Sequence, residues 1–95
     1  MATPRDSTYN GWVSKSYATI DDDYDLVTVR PNYTAQTPQW LPKCIYVGGA
    51  GNLAVQYEDG TSDTILGIVA GTILPISPRS IIDTGTTATN VTVIW

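Results

Sequence analysis

An Asp-Gly pair at positions 59 and 60 lies between two runs of strand-forming residues, Leu53-Ala54-Val55-Gln56-Tyr57-Glu58 and Thr61-Ser62-Asp63-Thr64-Ile65-Leu66. A two-residue loop of this composition is a strong β-hairpin signal, because a type I′ turn needs φ > 0 at both central positions and Asp and Gly tolerate it. The turn predicts a register in which Glu58 faces Thr61, Tyr57 faces Ser62, Gln56 faces Asp63, Val55 faces Thr64, Ala54 faces Ile65 and Leu53 faces Leu66. Leu53, Val55, Tyr57 and Leu66 then share one face and Gln56, Glu58, Thr61 and Asp63 the other, so one side is made for a core and the other for water.

Upstream, Cys44-Ile45-Tyr46-Val47 reads as a short apolar strand that stops at Gly48-Gly49-Ala50-Gly51-Asn52. Three glycines in that stretch mark a tight connection, where the backbone takes φ > 0 or comes close to another segment. A phosphate cradle is the functional reading of such a loop. It would need a helix opening behind the glycines, or Gly-Lys-Ser/Thr, and neither is present. A strand-to-strand turn is the reading adopted.

Composition excludes several chemistries. The chain has 95 residues, one cysteine and no histidine. An internal disulfide framework is impossible, a Cys/His zinc site lacks ligands, and Ser-His-Asp or Cys-His catalysis lacks its base. Cys44 reads as a buried thiol, with an interchain disulfide as the lesser alternative. Glu58, Asp59, Asp63 and Asp83 would be the carboxylates available for acid/base work, but turn and solvent-face positions explain all four. A net charge of −4 with five Lys and Arg provides no basic footprint, so nucleic acid is not an expected partner. No apolar run suggests a signal peptide or a membrane span, which places synthesis in a cytoplasm and makes the Asn32-Tyr33-Thr34 and Asn90-Val91-Thr92 sequons accidents of a Thr-rich chain. No cofactor is expected.

Residues 1–40 differ in kind from the rest. Pro4, Asn10-Gly11, Pro31-Asn32 and Pro38 interrupt a polar segment with no helical period, in which Leu26-Val27-Thr28-Val29 alone reads as a strand. Its aromatics Tyr9, Trp12, Tyr17, Tyr24, Tyr33 and Trp40 are too many for a solvated linker, so the segment is expected to be an extended arm that lies on another surface. Asp21, Asp23 and Asp25 have the 1-3-5 spacing of a calcium loop, but Leu26 stands where that loop needs Gly and Asn32 where it needs Glu, so a solvated or Arg-facing acidic turn is expected.

From Leu41 onward short strands alternate with Gly, Pro and Asp/Thr turns. Ile65 to Ala70, Thr72 to Leu74, Ser80 to Ile82 and Thr89 to Trp95 are the further strands, the last with Val91, Val93 and Trp95 on one face. Pro75 and Pro78 cannot donate to a ladder, which makes Ile76 to Arg79 an edge or a crossing between sheets. The predicted class is all-β: a small antiparallel β-sandwich or barrel at 41–95, serving oligomerisation, preceded by the arm at 1–40. At this length roughly 64% of the extended chain's surface can be buried, a thin margin that oligomerisation commonly remedies.

The second half resembles the spike base proteins of phage-like particles, the family best known from the head spikes of gene transfer agents. The resemblance is carried by Ile45-Tyr46-Val47-Gly48-Gly49-Ala50-Gly51-Asn52-Leu53-Ala54-Val55, by Val69-Ala70-Gly71-Thr72-Ile73-Leu74-Pro75-Ile76, by Arg79 and by Thr84-Gly85-Thr86-Thr87-Ala88-Thr89-Asn90-Val91. It implies a non-enzymatic virion structural protein on the capsid exterior, made in the host bacterial cytoplasm. The implied partners are the major capsid protein, a spike or fibre protein, and further copies of the chain, five ahead of three. The alternative is a monomeric carbohydrate-binding β-module using Trp12, Trp40 or Trp95 as a sugar platform.

Overall fold

The computed structural model of the protein describes residues 13–31 and 41–95. Among the described residues eight strands follow one another: β1 (Ser14–Tyr17), β2 (Tyr24–Asp25), β3 (Cys44–Gly49), β4 (Gly51–Gln56), β5 (Ser62–Ile68), β6 (Thr72–Leu74), β7 (Ser80–Ile82) and β8 (Thr89–Ile94). They form two four-stranded antiparallel sheets, sheet A in the order β1-β8-β3-β6 and sheet B in the order β2-β7-β4-β5. Strand 1 lies beside 8, 2 beside 7, 3 beside 6 and 4 beside 5, as if one long hairpin were rolled up. This connectivity is the jelly roll, and of the two expected architectures it selects the sandwich.

Alternation within each strand supplies the core. Ile45 and Val47 of β3 and Val91 and Val93 of β8 turn inward from sheet A; Leu53 and Val55 of β4 and Ile81 of β7 turn inward from sheet B, all with no exposed area. Trp95 closes one end at 2% exposure, donating its Nε1–H to the Leu26 carbonyl over 2.9 Å. The Gly-rich connection carries the chain from sheet A to sheet B through Ala50 alone, as close backbone approach requires. A Cβ on Gly51 would sit 2.5 Å from the Ala88 nitrogen, and φ there is 155°. Ile76 to Arg79 is likewise a crossing, since it joins β6 of sheet A to β7 of sheet B.

The hairpin differs from its expected form by one residue. Gln56 pairs with Ser62, Val55 with Asp63, Ala54 with Thr64 and Leu53 with Ile65. The cause is the conformation of Asp59. Its Oδ1 accepts from the Thr61 amide at 3.0 Å and the Thr61 hydroxyl at 2.6 Å, and the residue keeps a negative φ while Gly60 takes 88°. Gly60 N–H donates to the Tyr57 carbonyl and Tyr57 N–H to the Thr61 carbonyl, giving a type I turn with a Gly bulge and a three-residue loop. Pairing therefore slips, and Leu66, expected on the core face, is 71% exposed while Ile65 is half-buried. Further along β5 the register shifts again, where Gly67 (φ 67°) gives its N–H to the Asn52 side chain over 3.0 Å.

The expected boundary at residue 40 is corrected for residues 13–31. β1 pairs with β8 and β2 with β7, while Tyr17, Ile20, Leu26 and Val27 are buried in the core. Leu26 to Val29 is a turn rather than a strand. Asp25 organises it, its Oδ1 accepting from Val27 N–H at 3.1 Å and its carbonyl from Val29 N–H at 3.0 Å. Residues 1–12 and 32–40 of the expected arm lie outside the described residues.

Candidate assembly surface

Of the six aromatic residues expected to touch a partner, the structure describes two and brings them together. Tyr17 on β1 and Tyr24 on β2 stack with ring centroids 4.5 Å apart, joining the two sheets at their β1/β2 edge. Tyr17 is 8% exposed, so its ring belongs to the core rather than to an exposed arm; burial raises the pKa of its hydroxyl, which has no hydrogen-bond partner among the described residues. Lys15 Nζ lies 5.7 Å from the same ring. Tyr9, Trp12, Tyr33 and Trp40 lie outside the described residues.

The acidic run acts as a fastening for this edge. Tyr24 Oη donates to Asp21 Oδ1, Asp23 Oδ1 accepts from Asp83 N–H at 2.7 Å, and Asp25 Oδ1 accepts from Arg79 Nε at 3.2 Å. Arg79 also reaches Glu58 at 2.9 Å, so one guanidinium ties the β2 and β4–β5 segments together. Among the described residues no three carboxylate or thiol groups converge as a metal site. The Arg-facing acidic turn is the observed arrangement.

The bond to Asp21, followed by burial and the negative charges nearby, pushes the Tyr24 phenol up to about 12. The fold prefers the neutral phenol, so this stabilisation is complete below the unfolded value near 10 and is lost as pH climbs through about 12. The melting-temperature advantage of the wild type over Tyr24→Phe is therefore expected to shrink between about pH 10 and about pH 12. An advantage constant across that window, measured by circular dichroism, would refute the assignment.

No arrangement among the described groups resembles a general acid facing a general base. Glu58 is paired with Arg79, and Asp59 is held below its ordinary pKa, that is ionised, by the two bonds from Thr61. A shallow depression of about 260 Å³ on sheet B, lined by Ala54, Gln56, Ser62, Thr64, Ile82 and Thr84 among others, contains no aromatic platform. Trp95, one of the three tryptophans proposed for sugar stacking, is inside the core.

The surface itself shows a different concentration. From Thr64 to Pro78 the sequence contains no charged residue, and the fold places this run at one lateral side of the sandwich, as edge strands β5 and β6 and their connection. Leu66, Val69 and Ile73 there are 71%, 68% and 61% exposed. Around β6 the outer face of sheet A continues the pattern. Ile73 is paired with Tyr46 (38% exposed), and Tyr46 with Thr92; Cys44 pairs with Ile94, which is beside Ser14. The aromatic residues mark the first forty positions and not this surface, whose signal in the sequence is the charge-free run.

The fold and this surface define a small jelly-roll protein with an uncharged side and without a recognisable catalytic constellation among its described residues. Among solved structures the chain is similar to one in the capsid of a native gene transfer agent particle computed with C5 symmetry, with a TM-score of 0.54, 29% sequence identity, and coverage of 83% of this chain and 80% of that one. No protein-family model matches the sequence, and no curated protein matches it.

Proposed function

We propose that the protein is a structural component of a phage-like particle, the base of a head spike or fibre that assembles as a ring on the capsid exterior and anchors the spike there. The observation that carries this reading is the likeness, over most of both chains, to a chain in the capsid of a gene transfer agent particle. The jelly roll is in keeping with it, as a fold that recurs in capsid proteins, and so is the apolar, charge-free side, since depletion of charge marks the centre of protein interfaces. A ring of five copies is favoured ahead of three, because the neighbour's particle was computed with C5 symmetry. Tyr9, Trp12, Tyr33 and Trp40 serve contacts to the major capsid protein or to a neighbouring copy. Tyr and Trp suit such contacts, giving large area at small cost in side-chain entropy.

The test is decoration. Purified chain added to particles lacking it is expected to co-sediment with them and to appear as discrete density on the capsid exterior in electron cryomicroscopy. Chain that remains in the supernatant, with particles of unchanged appearance, would overturn the proposal.

A further inference from the structure

We infer that the uncharged surface wrapping around β6, comprising the β5/β6 side and the adjoining outer face of sheet A, is where a second copy of the chain packs. The inference rests on the ring reading above and identifies the surface that would build it.

Edge strands with free backbone groups and apolar side chains are a liability that soluble proteins blunt with Lys, Pro or covering segments. β5 has neither Lys nor Pro over its seven residues, and β6 meets Pro only after Leu74. The single negative charge on β5, Asp63, stands at the hairpin end, away from Leu66 and Val69. Such an edge is made to be covered.

Area decides what covers it. With strands spaced about 4.8 Å apart and a rise near 3.3 Å per residue, the outer face of sheet A offers roughly 300–400 Å². Two sheets about 10 Å apart give the β5/β6 side a comparable area. Neither suffices alone, but together they approach the roughly 800 Å² per partner of a standard stable interface. An occupant that uses both must turn the corner at β6, as the flank of a folded neighbour does and a single added strand does not. In a closed ring every copy must present one such surface to the next.

The experiment uses the full chain, with light scattering for mass and circular dichroism for folding. The wild type is expected to be an oligomer whose mass falls on dilution. Val69→Asp, Ile73→Asp and the double variant alter positions that are exposed in the single chain, so they should keep the β-sheet spectrum and dissociate. The milder Ile73→Thr, which keeps β-branching, should weaken self-association about tenfold or more. Thr28→Asp, on the turn after β2, should leave the mass unchanged. A wild-type chain that is monomeric at every concentration overturns the inference, as do folded Asp variants with wild-type mass. A monomeric wild type that decorates particles, with decoration lost in Val69→Asp, assigns the surface to the capsid protein; it sinks the inference and leaves the proposed function standing. An oligomer that the Asp variants dissociate but that never decorates particles supports the inference and sinks the function.

Discussion

A chain lacking residues 1–40 is expected to be unfolded. The truncation removes β1 and β2, one edge of each sheet, and with them the side chains of Tyr17, Ile20, Leu26 and Val27, which are 8%, 7%, 0% and 0% exposed. At about 1.5–3 kcal/mol for each large apolar side chain buried, the loss is roughly 6–12 kcal/mol, against a total stability of about 5–15 kcal/mol for a domain. Loss of β1 also strips β8 of its outer partner, and loss of the Leu26 carbonyl leaves the Trp95 indole N–H buried without an acceptor. Amide dispersion in a two-dimensional NMR spectrum is the direct readout. A dispersed spectrum and a cooperative melt for the 41–95 fragment would show that the second half folds alone.

The second large effect is expected at the other end of the chain. Trp95 fills the end of the sandwich, is hydrogen-bonded through its ring, and pairs through its backbone with Val13, donating at 2.8 Å and accepting at 3.2 Å. Trp95→Ala keeps the backbone ladder but opens a cavity the size of an indole and leaves the Leu26 carbonyl unsatisfied. Substitutions of this kind cost about 3–5 kcal/mol, which in a domain of this size lowers the melting temperature by roughly 15–30 °C. Trp95→Phe refills part of the space without the N–H and should fall between. If thermal denaturation of Trp95→Ala is within a few degrees of wild type, the indole does not close the core.

Both expectations depend on contacts between residues far apart in sequence, and that is where reading the chain alone and reading its fold diverge. The all-β class, the run of strands from Cys44 to Ile94, the inward alternation of Val91, Val93 and Trp95, and the crossing at Pro75 and Pro78 were legible because each follows from spacing within a few residues. Period-two alternation and the missing N–H of proline are local facts. The Gly-rich connection was legible in kind, as a close approach, but not in its object. Only the fold shows that the space beside Gly51 is occupied by the backbone of Ala88.

The hairpin register needed one more piece of local chemistry, the Asp59 carboxylate engaging Thr61, which turns a two-residue loop into a three-residue one and moves Leu66 into solvent. What no local pattern contained was the pairing of β1 with β8 and β2 with β7. Each spans most of the chain, and short strands of Ser, Lys, Tyr and Asp carry too few aliphatic residues to announce a core position. Their burial is conferred by the sheets they complete. The same holds for the assembly surface: the sequence by itself determined that Thr64 to Pro78 is uncharged, while the tertiary structure decided that this run forms an exposed edge. Charge content is a property of residues, whereas exposure depends on which strands end a sheet, and in a jelly roll that order is set by pairings along the whole chain.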